Sequence, residues 1–555
     1  MTPSRTSNAQ RRPAHQKRSP RSLALTLGVT ALLIVGGGLA YLLFQNTKNS
    51  GPLPLGSTLL PEDTSFSLTL TTESDAWDRL EEFDIPETRK AMEQLLTSFQ
   101  TEVLAPHNLN FATDLQPWLK REMTTAILSP PVREEDILAD QSQVWILPLR
   151  DLRQAQKFLT DRASTEGLEP VVHQGIEMWT SKAGTPDALT LALFDPEFLI
   201  ATNDIPSMRE MIDTIQTQKT LAAQERFQQA MAQIQRPNPF AQLYINLPAN
   251  TSQIFEQEGR QIDQATLDRL QEFQGIGSTI TLDDRGIQLT SISWLKTETE
   301  DRLNVSSNPS EAAKLLPEDT ILMMAGDSFQ QVWKDYQQGV ETQLLLPFSP
   351  KGLQAEFQRL TGLNFEQQFL PWMTGDFASA IVPQSQENDQ SAGFVFLTKT
   401  RDQTAADQAL RSLESEMRSR YALQMSETRV NDRPVVIWRV PPNLPFASRG
   451  WLADKVLFFS VFTPLTERLT DPDQNSLAAL SRFQAVTQSD LNPQSGKFFI
   501  DVPRLATLMQ TSQFLPKLAP GYQKYAQEFE AVGGTSATPN RWSNRYDIHI
   551  QFRRK

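Results

Sequence analysis

The chain has 555 residues, of which 39% are hydrophobic and 21% charged, and it contains no cysteine. A chain of this length is too long to fold around a single hydrophobic core, and it fits roughly two to four folded units. The lack of cysteine excludes disulfide bonds, thiolate zinc sites, thiol nucleophiles and lipidation at an N-terminal cysteine. Residues 1–44 contain six Lys or Arg and no acid, so the formal net charge of −13 leaves −19 for the rest of the chain, and nucleic acid is not an expected partner.

An uncharged segment at residues 23–44, LALTLGVTALLIVGGGLAYLLF, is the first predicted element. A segment of this length can cross a hydrocarbon layer about 30 Å thick, so it is predicted to be a transmembrane helix. A buried core helix does not fit, because a Pro- and Arg-rich tail precedes the segment and a polar linker follows it. A cleaved signal peptide is the alternative, although its apolar region is normally shorter and ends at small residues.

The basic residues upstream of this segment predict its orientation in the membrane. By the positive-inside rule, residues 1–22 form a disordered cytoplasmic tail. The body then follows a linker at 45–56 on the other side of the membrane, in the periplasm or the thylakoid lumen. The chain is therefore predicted to be a single-pass protein, anchored by its N-terminal helix in the plasma or thylakoid membrane.

A long internal repeat follows the linker. The hexapeptide LLPEDT occurs at 59–64 and again at 315–320, an offset of 256 positions. Further segments match in the same order over about 240 residues, including LNFATDLQPWL with LNFEQQFLPWM, RFQQAMAQ with RFQAVTQ, and EFQGIG with EFEAVG. This collinearity indicates a tandem duplication. Repeat unit one is assigned to 57–296, a polar linker to 297–312 and repeat unit two to 313–555.

The elements of unit one illustrate both units. In chain order they are a strand at 65–70, helices at 74–83 and 86–104, strands at 122–129 and 144–149, a helix at 151–163, and strands at 171–175, 176–181, 189–195 and 198–203. The helix at 151–163 places Leu152, Ala155, Phe158 and Leu159 on one face. Short loops between successive strands favour antiparallel pairing. The predicted fold class is α+β, each unit a mainly antiparallel sheet with helices packed on one side.

Two polar loops differ between the units. The segments at 130–143 and 383–393 are longer than a tight turn, and both connect predicted strands of a hairpin. They are predicted to be solvated tips, where two copies of one scaffold can acquire separate roles.

The repeated hexapeptides contain adjacent carboxylates, Glu62 with Asp63 and Glu318 with Asp319. A general acid–base pair needs two carboxyl groups facing each other across a substrate, whereas neighbours that enter a strand point in opposite directions. Proline followed by acids and threonine is typical of a turn in which the Asp side chain hydrogen-bonds nearby backbone. The hexapeptide is therefore interpreted as the turn that starts the first strand of each unit.

No recognised catalytic, cofactor or metal motif is present. The histidines at His15, His107, His173 and His549 lack metal-ligand spacing, although a site can still assemble from distant positions. The segment 471–475, DPDQN, resembles the start of a calcium loop, but Ser476 and Arg482 stand where that loop needs Gly and Glu. Neither a nucleophile elbow nor a phosphate-binding glycine motif occurs. No catalytic residue, cofactor or metal is predicted, and the protein is not expected to be an enzyme.

Tryptophans recur at matched positions of the two units. The pairs are Trp77 with Trp333, Trp118 with Trp372, and Trp179 with Trp438. Trp118 and Trp372 each follow a proline. An exposed tryptophan can anchor a partner. Retention in both copies instead favours a role in equivalent cores, because both cores must fold whereas one copy is enough for binding.

The anchor, the LLPEDT start, the tryptophan after it and the DLQPW segment together resemble a family of membrane-anchored proteins, found mainly in cyanobacteria and known only as a domain of unknown function. The resemblance covers nearly all of the chain beyond the anchor. It implies a location in the bacterial envelope or thylakoid, and it implies no activity.

Three hypotheses for function remain open. The first is a non-catalytic scaffold or assembly factor that binds another envelope protein through its body. The second is a module that binds a small molecule or lipid in the cleft between the two units, where paired domains often form pockets. The third is a hydrolase whose site assembles from distant residues.

Overall fold

The computed structural model describes residues 53–90, 105, 109–128, 142–165, 167–181, 189–194, 197–250, 271–298, 310–338, 350–385, 388–452, 455–462, 465–471, 475–512, 517 and 520–554. The predicted tail, the predicted transmembrane helix at 23–44, and residues 45–52 of the predicted linker lie outside these ranges. Among the helices in the described residues, none is long and apolar enough to cross a membrane.

The described strands form one sheet of twenty strands in which all pairings are antiparallel. They are β1 Phe66–Thr71, β2 Glu122–Ile127, β3 Gln143–Pro148, β4 Glu169–His173, β5 Ile176–Thr180, β6 Thr190–Phe194, β7 Phe198–Thr202, β8 Ala241–Ile245, β9 Phe273–Leu282, β10 Gly286–Leu295, β11 Leu322–Gly326, β12 Phe377–Ser385, β13 Asn388–Lys399, β14 Gln424–Val430, β15 Arg433–Val440, β16 Leu444–Trp451, β17 Val456–Val461, β18 Gly496–Asp501, β19 Phe529–Asn540 and β20 Ser543–Phe552. The α+β class is confirmed, and the strands predicted in unit one correspond to β1–β7 within two residues at each end.

The two halves of the sheet have the same strand order. In the first half, residues 53–298, the order is β4-β5-β6-β7-β3-β2-β1-β8-β9-β10. In the second half, residues 310–554, it is β14-β15-β16-β17-β13-β12-β11-β18-β19-β20. The last strands of the halves, β10 and β20, pair with each other and make the sheet continuous.

This β10–β20 seam has pseudo-two-fold symmetry. The aligned segments EFQGIG and EFEAVG show that Thr279 and Thr535 occupy equivalent positions in the two halves. Thr279 pairs with Thr290 of β10, and Thr535 pairs with Asp547 of β20. Thr290 and Asp547 are therefore equivalent, and they also pair with each other across the seam. The pseudo-two-fold axis passes between them.

The described α-helices lie between runs of strands along the chain. They are α1 Ser74–Asp78, α2 Leu152–Thr165, α3 Ile205–Thr217, α4 Glu225–Gln233, α5 Ser310–Ala313, α6 Phe329–Gln338, α7 Pro350–Thr361, α8 Phe365–Gln368, α9 Gln403–Tyr421, α10 Thr466–Thr470, α11 Ser481–Thr487, α12 Val502–Thr511 and α13 Pro520–Glu528. Most of the helix predicted at 86–104 lies outside the described residues, and α2 matches the predicted helix at 151–163. The helix predicted at 74–83 is α1 followed by a 3₁₀ helix at Arg79–Glu82.

Helices pack on both faces of the sheet, so the prediction of helices on one side is wrong. Alternate residues of β3 enter different cores: Val144 and Ile146 pack with α3 and α4, whereas Trp145 and Leu147 pack with Ala155 and Leu159 of α2. A strand buried on both faces needs apolar residues at successive positions, not alternate ones. The run VWIL of β3 carries this signal.

The halves also share core residues, so they form one folded body. Trp542 of the second half lies in the hydrophobic core that contains α3 and α4 of the first half. Phe552 packs with Phe83, at a ring-centroid distance of 5.2 Å. The Glu528 carboxylate accepts hydrogen bonds from the backbone N–H groups of Glu87 and Thr88. Because the seam is a paired sheet with shared cores, the two halves are joined without an interdomain hinge.

Candidate functional site

The LLPEDT hexapeptides form equivalent turns, as predicted. The Thr64 hydroxyl donates to the Pro61 carbonyl over 2.7 Å, and the Thr320 hydroxyl donates to the Pro317 carbonyl over 2.6 Å. Each turn also pairs with the segment before a short LAA helix, through bridges from Pro61 to Thr220 and from Pro317 to Ser476. In both turns the threonine hydroxyl forms the hydrogen bond to the proline carbonyl, whereas the sequence predicts backbone hydrogen bonding by the Asp side chain.

The acids of the two hexapeptides have different surroundings. Glu62 and Asp63 are exposed and border a cavity of about 440 Å³. Asp319 is buried and accepts from Arg468 Nη2 at 2.6 Å. Glu62 and Asp63 thus both border one cavity, whereas Asp319 forms a buried ion pair.

The tryptophans that follow proline are core residues, as expected. Trp118 and Trp372 are each 3% exposed. Their indole N–H groups donate to the carbonyls of Asp114 and Gln368, over 2.6 and 3.0 Å, so both are satisfied four residues upstream.

The described histidines lie far apart in the sheet and form no common site. His173 is on the terminal strand β4, with Nε2 2.7 Å from Asp213 Oδ1, whereas His549 is on the central strand β20, where burial lowers its pKa. His15, His107 and residues 472–474 of the calcium-like segment lie outside the described residues. Within the residues that the structure describes, no group of three or more His, Asp or Glu side chains could hold a metal ion.

A network of ion pairs links the two halves at the seam. Arg545 Nη2 lies 3.3 Å from Asp547 and 3.1 Å from Asp490. Arg236, from the first half, approaches the same two carboxylates at 3.6 Å each, and the Ser489 hydroxyl donates to Asp547 over 2.6 Å. Burial raises the pKa of Asp547, and the nearby guanidinium groups act in the opposite direction. The network is asymmetric although the backbone around it is pseudo-symmetric.

A row of buried polar side chains crosses the seam on the face covered by α4 and α11. Strand pairing places its members side by side: Thr124, Thr69, Gln242, Thr279, Thr290, Asp547, Thr535 and Lys497. Each is at most 7% exposed. Buried polar groups without partners are costly, and the hydroxyls of Thr279, Thr290 and Thr535 find no hydrogen-bond partner in the described part of the chain.

A cationic cavity of about 520 Å³ lies near the Lys497 end of this row. Its lining contains three cationic side chains: Arg285 from the β9–β10 turn of the first half, and Lys314 and Lys497 from the second half. The other lining residues are Ala478, Ser481, Phe483, Gln484, Ala485, Thr487 and Gln488. The Asp283 carboxylate shapes the turn that carries Arg285, accepting from the N–H groups of Arg285 and Gly286 over 2.8 and 3.0 Å.

An apolar patch occupies one end of β13, β16 and β17. It consists of Phe394, Leu444, Phe446, Val461 and Phe462, of which Phe462 is 69% and Leu444 62% exposed. The rings of Phe446 and Phe462 meet edge to face at 6.0 Å. Phe462 also has a backbone φ of 72°. Such an angle is strained for a bulky residue, and strain of this kind tends to concentrate at functional positions.

Neither the patch nor the cavity was predicted from the sequence. Strand register shows why: Phe394 and Phe462 are equivalent to Gln143 and Asp204 of the first half. Lys497 is equivalent to Gln242, and the aligned hexapeptides make Lys314 equivalent to Thr58. The patch and the cavity could be found in the sequence only as residue differences between the two halves. Those differences become visible only when the halves are aligned strand by strand.

The fold therefore defines a class of α+β protein in which two halves of equal topology share one antiparallel sheet. The chain belongs to the family described as Protein of unknown function (DUF3352), whose model matches residues 25–552. No curated protein matches the chain significantly. Similar solved structures include crystal forms I and IV of TP0453, with 11% and 10% identity, TM-scores of 0.26 and 0.25, and coverage of 46% and 44% of this chain and 82% and 81% of theirs.

Proposed function

We propose that this protein is a non-catalytic, membrane-anchored scaffold or assembly factor that binds a protein partner through its second half. Residues 23–44 supply the transmembrane anchor and place the body in the periplasm or thylakoid lumen of a cyanobacterial cell. The equal strand orders and matching LLPEDT turns support a tandem duplication as the origin of the body. Two copies of one scaffold allow one of them to acquire a binding surface.

The observation that carries this proposal is the apolar patch of the second half. Two of its members, Phe394 and Phe462, have the polar equivalents Gln143 and Asp204 in the first half, where the backbone N–H of Gln143 donates to the Asn203 side chain over 2.8 Å. Exposed apolar side chains grouped on rigid strands are typical of protein-binding sites, and aromatic residues often dominate their binding energy. The patch is thus a feature added to the common scaffold.

A protein surface fits this patch better than a lipid surface does. The neighbouring β12–β13 hairpin, residues 383–393, contains two acids and no Lys or Arg in its sequence. Anionic lipid headgroups attract Lys and Arg and repel acids. The hairpin therefore disfavours contact between this end of the sheet and a membrane.

Replacing Phe394 with Gln and Phe462 with Asp, the residues of the first half, is expected to weaken partner binding strongly. Loss of two aromatic anchors costs at least about 2 kcal/mol, so recovery of the partner falls by at least about tenfold. The measurement is quantitative crosslinking and affinity purification of the tagged protein from native membranes. Asp tolerates positive φ better than Phe does, so the double variant is expected to fold.

The matched control is Val172→Asp, which places the same charge at another apolar residue, 67% exposed, on β4 of the first half. This variant is expected to retain the partner. Equal recovery with the double variant and the wild type, or repeated recovery of the wild-type bait alone, would sink the proposal.

The topology has its own test. Protease added to the luminal or periplasmic side of the membrane is expected to digest the body, and protease on the cytoplasmic side to leave it intact in sealed vesicles. Digestion of the body from the cytoplasmic side would overturn the proposed orientation.

A further inference from the structure

The cationic cavity is a second candidate site, separate from the apolar patch. We infer that it binds a small anionic ligand that presents phosphate, sulfate or carboxylate oxygens. Its three cations come from three separate chain segments, and none of the described residues that line it is acidic. The volume of about 520 Å³ is in the range of small-molecule sites. A concentration of positive charge is notable in a chain whose net charge is −13.

The lining offers the donors that an oxyanion requires. Arg285 contributes a guanidinium fork and the two lysines contribute ammonium groups, which form strong, charge-assisted hydrogen bonds. Ser481 adds a hydroxyl group, and Gln484 and Gln488 add amides. Lys314 also forms an ion pair with Glu311, 2.7 Å away, whose carboxylate is largely solvated. A ligand with two or more negative charges can compete for that ammonium.

Lys497 is the unusual member of the set, because it is 7% exposed. Burial lowers its pKa to about 8. An ammonium group held in such surroundings carries a desolvation cost, which a bound anion offsets. Its neighbours across β11 and β19 are the uncharged Ala325 and Thr535, and the other charged groups that face the cavity are Arg285 and Lys314.

The two halves differ at the positions that create this charge. Thr58 and Gln242 stand in the first half where Lys314 and Lys497 stand in the second. The uncharged residues are therefore compatible with this scaffold, and they provide variants that remove the cations without introducing unfamiliar side chains. Neither lysine belongs to the LLPEDT turn or to the apolar patch.

The test is calorimetric titration of the full-length protein with sulfate and with citrate at constant ionic strength. The wild type is expected to bind at least one of them saturably, and the K314T/K497Q variant to bind at least about tenfold more weakly. Arg285→Gln, a surface change in the other half, is expected to weaken binding as well. Lys157→Gln removes a cation whose side chain is 76% exposed on α2 and is expected to change nothing.

Dependence on pH gives an independent readout. Sulfate keeps its double negative charge between pH 7 and 9, so the ligand itself adds no pH dependence over that range. Lys497 loses its proton as pH rises through about 8, so wild-type affinity for sulfate is expected to fall across this range, and that of K497Q to stay flat. If the wild type, both cavity variants and the control bind sulfate with equal affinity and without this pH dependence, the bound sulfate is an adventitious ion only. The inference would then be wrong. Absence of saturable binding would likewise overturn the inference.

Discussion

Replacing Asp547 with Thr, the residue at the equivalent position in the first half, is expected to lower the free energy of unfolding by about 3–5 kcal/mol. Asp547 is fully buried and lies within 3.6 Å of both Arg545 and Arg236. Its removal leaves two guanidinium groups at the seam with Asp490 as the remaining carboxylate of the network. The measurement is chemical denaturation of the purified protein, followed by tryptophan fluorescence.

A second substitution separates charge from packing. Gln288 is equivalent to Arg545, so the D547T/R545Q double variant gives β20 the uncharged residues of β10 at both positions. The free energy of unfolding of the double variant is expected to be about 1–3 kcal/mol higher than the value obtained by adding the effects of D547T and R545Q. Strict additivity would show that the two groups do not interact energetically. Asp284→Ala, which removes a carboxylate that is 79% exposed, is expected to cost at most about 1 kcal/mol.

Cleaving the chain between its halves is expected to leave them associated. A specific protease site inserted between residues 299 and 309 would allow the folded protein to be cut there. Nine residue pairs join β10 to β20, and Trp542 lies in the core of the first half. Separation of the halves would expose a long strand edge and open that core, which is unfavourable.

Gel filtration of the cut protein under native conditions is therefore expected to give one peak that contains both fragments. Each fragment, once separated in denaturant, is expected to aggregate or remain unfolded after dilution, and an equimolar mixture to refold together. Two separate native peaks would contradict the shared body. The uncut protein, carried through the same denaturation and dilution, controls for losses in refolding.

Much of the fold could be predicted because local patterns determine it. The apolar runs of β1–β7, the apolar face of α2 and the turn residues of LLPEDT act over a few neighbouring positions. The packing of helices on both faces of the sheet could not be predicted in this way, although the apolar run VWIL in β3 is typical of a strand buried on both faces. Antiparallel pairing by itself does not say how many faces are covered.

The candidate site was less accessible to prediction because distant residues create it. Asp63 and Asp319 stand in identical hexapeptides, yet one is exposed and the other is buried against Arg468, which the sequence places far along the chain. The buried polar row has a composition typical of a solvated strand face. The seam itself arises from pairing between residues that lie 249 to 265 positions apart, and no local pattern encodes that distance.

The position of Thr290 and Asp547 on the pseudo-two-fold axis bears on how such a protein can evolve. In a dimer of identical chains, a residue on the axis must face its own copy, so a buried carboxylate there would meet another carboxylate at close range. A covalent tandem removes this restriction, because each gene segment can mutate alone. Here one copy supplies an acid, the other supplies threonine, and Arg236 adds a compensating charge from one side. A tandem chain thus permits an asymmetric interior within a symmetric architecture.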